Sequence, residues 1–267
     1  MAIFRFLQQL APARAYAALP QPADPVCIIG DVHGCDALLD NLLGQLARHR
    51  DAARMRVVLV GDLIDRGPDS AAVMARVLAL TQTPLPFASV TCLMGNHERM
   101  MLDFLADPAR HGPRWLSHGG DETLRSFGLS PDRPPRPKGL ASSPQGAAPA
   151  LVGLRDACRA ALPRGLEDWL AKLPLWWQQD GLAICHAGTD PAQPMDQQSA
   201  KTLLWGHPAF RHNRRSDGLW VAHGHTIVPD ACADGGRIAV DTGAYQTGRL
   251  TAAVLDTTGL HFVTAPL

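Results

Sequence analysis

Three apolar runs in this chain each stop at a glycine followed by a side chain able to hold a metal. Val26-Cys27-Ile28-Ile29 runs into Gly30-Asp31-Val32-His33-Gly34, and Val57-Val58-Leu59-Val60 into Gly61-Asp62-Leu63-Ile64-Asp65-Arg66-Gly67. Cys92-Leu93-Met94 runs into Gly95-Asn96-His97-Glu98. A strand ending in glycine turns sharply with no Cβ in the way, so the next side chain points off the sheet edge. Repeated on neighbouring strands, this gathers Asp31, His33, Asp62, Asn96 and His97 at one edge. Two later runs end alike, Ile184-Cys185 at His186-Ala187-Gly188 and Val221-Ala222 at His223-Gly224-His225-Thr226. A single Gly-Asp is ordinarily a turn, but turns explain neither the histidines nor their order.

The ligand inventory is carboxylate, imidazole and amide without thiolate, which suits manganese, iron or zinc rather than a soft metal; the ligands alone do not choose among them, and manganese is the expected ion. There are enough donors for two divalent ions, and Asp62, on the middle strand, is the natural bridge. Paired ions acidify a water and clamp phosphate oxygens for in-line displacement. His97 directly follows Asn96 and can protonate a leaving group, with Asp65 orienting its ring. Arg66 offers a planar fork to two phosphate oxygens. His223 is as readily a packing residue as a ligand.

Around these motifs the first half alternates strands near 26–30, 56–60 and up to Met94 with helical stretches. Residues 107–175 read as a helical cap inserted in the domain, with a Pro-rich surface loop over 130–150. Strands resume at 175–178, 182–185, 219–222, 237–240 and 250–255, closely enough for hairpins, so two mixed sheets flanked by helices are expected. The expected organisation is an amphipathic extension over 1–24 and one domain over 25–267.

The 25 basic and 25 acidic side chains balance, leaving no basic field for a nucleic-acid backbone. The six cysteines form no CxxC pair, and Cys27, Cys92 and Cys185 lie within apolar runs; a reducing cytoplasm is expected. No apolar segment reaches transmembrane length, so no integral membrane association is expected.

The ordered set Gly30–Gly34, Gly61–Gly67, Gly95–Glu98, His186–Gly188 and Gly224–Thr226 resembles the phosphoprotein phosphatase branch of the calcineurin-like metallophosphoesterases. It is similar to bacterial and phage-lambda-type serine/threonine phosphatases and to symmetrical diadenosine tetraphosphatases. The resemblance implies an α/β, four-layer fold around a central two-sheet β-sandwich. It implies Asp31, His33 and Asp62 on one metal, and Asp62, Asn96, His186 and His225 on the other. Asp65 and His97 would form the acid dyad, with Arg66 and Asn96 on the phosphate. Trp115-Leu116-Ser117-His118-Gly119-Gly120 resembles a cap segment near the substrate, so His118 is a further candidate contact, and Tyr245 a cleft-lining one. Relatives often carry Trp-x-Arg where this chain has Trp205-Gly206-His207. His207, or a stand-in from Arg211, Arg214 or Arg215, would then take the second phosphate contact.

The expected reaction is hydrolysis of phosphomonoesters by metal-bound hydroxide, with phosphoserine or phosphothreonine in proteins the favoured substrate. Cleavage of a dinucleoside polyphosphate is the alternative, and a phosphorylated small molecule or nucleotide would then be the partner. A binding module that has lost catalysis would show gaps among the ligands, and this chain shows none.

Overall fold

The central short strands are buried on both faces, and successive residues turn alternately to the partner sheet and to the helices. The protein is described here by a computed structural model covering residues 16–130 and 144–267. Its strands are β1 (Val26–Ile29), β2 (Arg56–Leu59), β3 (Ser89–Cys92), β4 (Trp176–Gln179), β5 (Leu182–Cys185), β6 (Trp220–His223), β7 (Cys232–Asp234), β8 (Arg237–Ala239), β9 (Arg249–Asp256) and β10 (Gly259–Pro266). They form two five-stranded sheets, ordered β10-β9-β1-β2-β3 and β4-β5-β6-β8-β7. β1, β2 and β3 pair in parallel, as do β5, β6 and β8; β9, β10, β4 and β7 pair antiparallel. Both sheets are therefore mixed, as the hairpin spacing predicts.

Val26 and Ile28 of β1 pack with Val58, Ile184, Ala222, Ile238 and Val240 between the sheets. Cys27 and Ile29, one residue out of phase, face the opposite side. There they meet Leu39 and Leu42 of α1 (Asp36–Leu46), Val73 and Val77 of α2 (Ser70–Gln82) and Met101 and Phe104 of α3 (Asn96–Ala106). Behind the second sheet, Ala183, Cys185 and Val221 pack against Leu203 and Phe210. Helix, sheet, sheet and helix-with-loop make four layers, and every parallel strand ends at the same edge.

Between β3 and β4 lie α4 (Pro108–Trp115), α5 (Asp121–Ser126), α6 (Pro144–Ala161) and α7 (Leu166–Ala171). Leu116–Gly120 joins α4 to α5 as a π-turn broken at Gly119, whose φ is +102°. The Pro-rich loop expected over 130–150 needs correction where it is described: from Pro144 onward the chain is helical. Alanine-rich composition carries helix propensity as readily as it marks a loop. Residues 131–143 lie outside the described residues, as do residues 1–15 of the expected amphipathic extension. The described end of the 1–24 extension packs on the second sheet, where Tyr16 Oη donates to Leu219 O at 2.7 Å. Beyond α7, the chain adds α8 (Ala200–Trp205) and α9 (Ala244–Thr247). All six cysteines are free thiols. No described helix is long and apolar enough to cross a membrane.

Candidate metal centre and active site

The loops leaving β1, β2, β5 and β6 and the start of α3 converge on the carboxylate of Asp62. Its Oδ1 accepts the His97 backbone N–H at 3.0 Å. Its Oδ2 stands 3.5 Å from His33 Nε2, 3.5 Å from His186 Nε2 and 3.9 Å from His97 Nε2. Two metal-sized groups result, His33–Asp62–His97 and Asp62–His186–His225, with the donor atoms in each within 4.8 Å of one another. Asp62 belongs to both. Asn96 joins the second group, its Oδ1 lying 2.8 Å from His186 Nε2.

The ring orientations fit metal ligation. His33 Nδ1 lies 2.8 Å from Ile64 O and His186 Nδ1 lies 3.1 Å from Val60 O. A carbonyl only accepts, so each Nδ1 carries the proton and each Nε2 turns a lone pair toward Asp62. Burial holds His33 down to about 3, and lowers His186 as well, which disfavours a second proton on either ring. His186 Nε2 thus faces Asn96 Oδ1 lone pair to lone pair, an arrangement that a cation resolves.

The carboxylates fit too. Asp31, Asp62, Glu98 and Asp241 are all buried. Burial, then the charges of Asp241 and Asp62, pushes Asp31 well above the usual carboxylate range. Burial likewise carries Asp241 to about 6. Asp62 differs: burial pulls it upward, but the imidazoles of His186, His97 and His33 outweigh it and hold it low. Crowded buried carboxylates repel one another until positive charge is added, which divalent ions would supply.

Asp31 is held differently from the other candidate ligands. Both its oxygens accept the His225 backbone N–H, at 3.2 and 3.0 Å, and it belongs to neither group. This contact requires Gly224, because a Cβ there would overlap Asp31 Oδ1. Gly61, at φ +102°, likewise passes so near the Gly95 backbone that a Cβ would stand 2.5 Å from Gly95 N. Among the described residues, six non-glycines have positive φ, and five of them are His33, Asp62, Asp65, Arg66 and His225. Left-handed backbone at non-glycine residues is costly, and its concentration here marks a site held by its surroundings.

His97 belongs to the first group, and its Nδ1 lies 2.6 Å from Asp65 Oδ2. Burial opposes a charged ring, but Asp62 and Asp65 outweigh it and raise the His97 pKa. That suits a proton donor at Nε2. Arg66 Nη2 lies 3.2 Å from that Nε2, and Arg66 Nη1 donates to Tyr245 Oη at 2.9 Å. Tyr245 also meets the His33 ring edge-on at 5.2 Å. His118 stands over the same corner, 6.4 Å from the His97 ring, with its Nδ1 bound to Arg114 O.

His207 lies away from this corner. It borders a cavity beside His225, with Nε2 3.9 Å from Asp190 Oδ2. Of its possible stand-ins, Arg215 is buried and tied to Asp217, Thr189 and the carbonyls of Asp190 and Gln193. Arg211 lines the cavity. His223 packs on Phe210, with Nδ1 bound to Gly224 O.

Three contributors escape sequence reasoning. Trp115 Nε1 donates to Asp65 Oδ2 at 3.0 Å, and Thr123 Oγ1 to Asp65 Oδ1 at 2.6 Å. Glu98 accepts the backbone N–H groups of Asp62, Leu63 and Gly95 at 2.9, 2.8 and 3.0 Å. Glu98 had a visible signal, since Glu three residues after a helix cap commonly reaches back to it. Trp115 stood in a noticed cap segment without a role, and Thr123 had no signal.

The calcineurin-like phosphoesterase family profile matches residues 25–246, from β1 to the Tyr245 turn. The chain belongs to this family. It is a metal-binding phosphoesterase. A symmetrical bis(5'-nucleosyl)-tetraphosphatase of Ectopseudomonas mendocina is 27% identical over 90% of this chain and 98% of its own length. Serine/threonine-protein phosphatase 1 of Salmonella typhimurium is 38% identical, over 36% of this chain and 39% of its own. A solved structure described as a candidate diadenosine tetraphosphatase is similar in fold, with a TM-score of 0.58 at 21% identity, covering 94% of this chain and 99% of that one.

Proposed function

We propose that this phosphoesterase hydrolyses dinucleoside tetraphosphates symmetrically, giving two nucleoside diphosphates. The observation carrying this reading is the extent of likeness to the Ectopseudomonas enzyme, which spans 90% of this chain and so includes most of the cap. Likeness to the serine/threonine phosphatase spans 36%. Substrate choice lies in cap and surface loops rather than in the shared core. The phosphoprotein reading favoured by the motifs therefore gives way to its alternative.

Asp31, His33, Asp62, Asn96, His186 and His225 would hold two divalent ions, which when bound supply Lewis-acid charge and acidify water. Arg66 would present its fork to oxygens of the central phosphate. Water adds to that phosphorus, the central bridging P–O bond breaks, and the bridging oxygen departs on one nucleoside diphosphate. His97 would protonate a departing oxygen from Nε2 while Asp65, fixed by Trp115 and Thr123, holds its ring.

Manganese-loaded protein should convert diadenosine tetraphosphate to ADP alone, with kcat/KM well above that for phosphoserine peptides. Preferential release of phosphate from the peptides would contradict the assignment.

A further inference from the structure

Beside the metal centre, and outside the machinery just described, lies a cavity of about 690 Å³ between α8 and strands β6–β8. It opens from His225 and Thr226 and runs out to Arg237 and Asp234. Its chemistry differs from that of the metal corner. Lys201, Arg211 and Arg237 line it against one acid, Asp234. Among the described residues, neither Lys201 nor Arg211 has a carboxylate partner within salt-bridge distance. Arg237 is held in place by the carbonyls of Phe210 and Asn213, which fix the guanidinium without neutralising it. Trp205 adds an aromatic wall whose ring meets His225 edge-on at 6.3 Å. Arg114, reaching across from the cap, covers that ring at 4.4 Å.

Unpaired cations with an aromatic surface, continuous with a metal ligand, match an anionic chain ending in a planar base. A phosphomonoester would leave this volume empty. We infer that the cavity is a second nucleotide subsite, binding the nucleoside diphosphate half of the substrate that lies beyond the reacting phosphorus. The inference rests on the dinucleoside tetraphosphate reading for the identity of its ligand. Lys201 and Arg211 take the outlying phosphates, and Trp205 borders the nucleoside.

Cys232 is exposed on β7 and lines the same cavity, so its alkylation reports occupancy directly. With manganese-loaded protein and peptide mapping of the labelled site, ADP should slow Cys232 alkylation in a saturable way. Inorganic phosphate at the same concentration, which lacks the nucleoside that Trp205 borders, should slow it far less. The exposed pair K201A/R211A should abolish the ADP effect, and should lower kcat/KM for diadenosine tetraphosphate at least about tenfold, mainly through KM. K201R/R211K should restore much of both. Unchanged alkylation under ADP, or equal slowing by phosphate, would overturn the subsite even if diadenosine tetraphosphate is cleaved to ADP. ADP protection without such cleavage would retain the subsite and overturn the reaction proposed above.

Discussion

His97 is held at Nδ1 by Asp65, while its Nε2 faces the site 3.2 Å from Arg66 Nη2. Such a ring can deliver a proton only along one direction, so its value depends on how much the departing oxygen needs one. His97→Ala should therefore cut kcat on phosphoserine peptides or alkyl phosphates by about 100-fold or more, the usual scale of general-acid assistance. On para-nitrophenyl phosphate, whose leaving group departs as an anion, the loss should be far smaller. Equal losses on both would remove the acid role from His97. The motif residues His33, Asp62, Asn96, His186 and His225 were legible in the sequence because each follows directly from a strand end. Trp115 and Thr123 were not, because their contact with Asp65 spans 50 and 58 residues and arises only when the cap folds onto the core.

The β2 loop at the site is held by a side chain that is not itself a candidate ligand. Glu98 lies in the first turn of α3, and it ties the β2 loop to that helix by accepting the buried backbone N–H groups of Asp62 and Leu63 together with that of Gly95 at the helix cap. Removing it leaves those donors buried and unpaired, at about 1–3 kcal/mol each. Glu98→Ala should lower unfolding stability by at least about 3 kcal/mol in urea denaturation; a change below about 1 kcal/mol would mean that the loop holds its shape without it. The strands β1, β2, β5 and β8 were readable from apolar runs ended by glycine or polar residues. β7 and β10 were not, since exposed residues make up most of β7 and half of β10 and no regular apolar alternation marks them. The start of α6 was hidden for another reason, because prolines flank an alanine-rich stretch that composition alone cannot assign.

At the scale of the molecule, two mixed sheets bring their parallel strands to one edge, and both sheets contribute candidate ligands. Asp62 and His33 leave the first sheet, while His186 and His225 leave the second. The shared carboxylate therefore joins the two halves of the sandwich, and would serve both of the proposed ions. Its removal should disturb both sites at once, which a pair of independent sites would not do. Titration of manganese into chelator-treated protein, followed by calorimetry, tests this directly. The wild type should bind two ions per chain, and Asp62→Ala should weaken both. Two ions bound by Asp62→Ala with wild-type affinity, or loss of one with the other untouched, would contradict a centre built around Asp62.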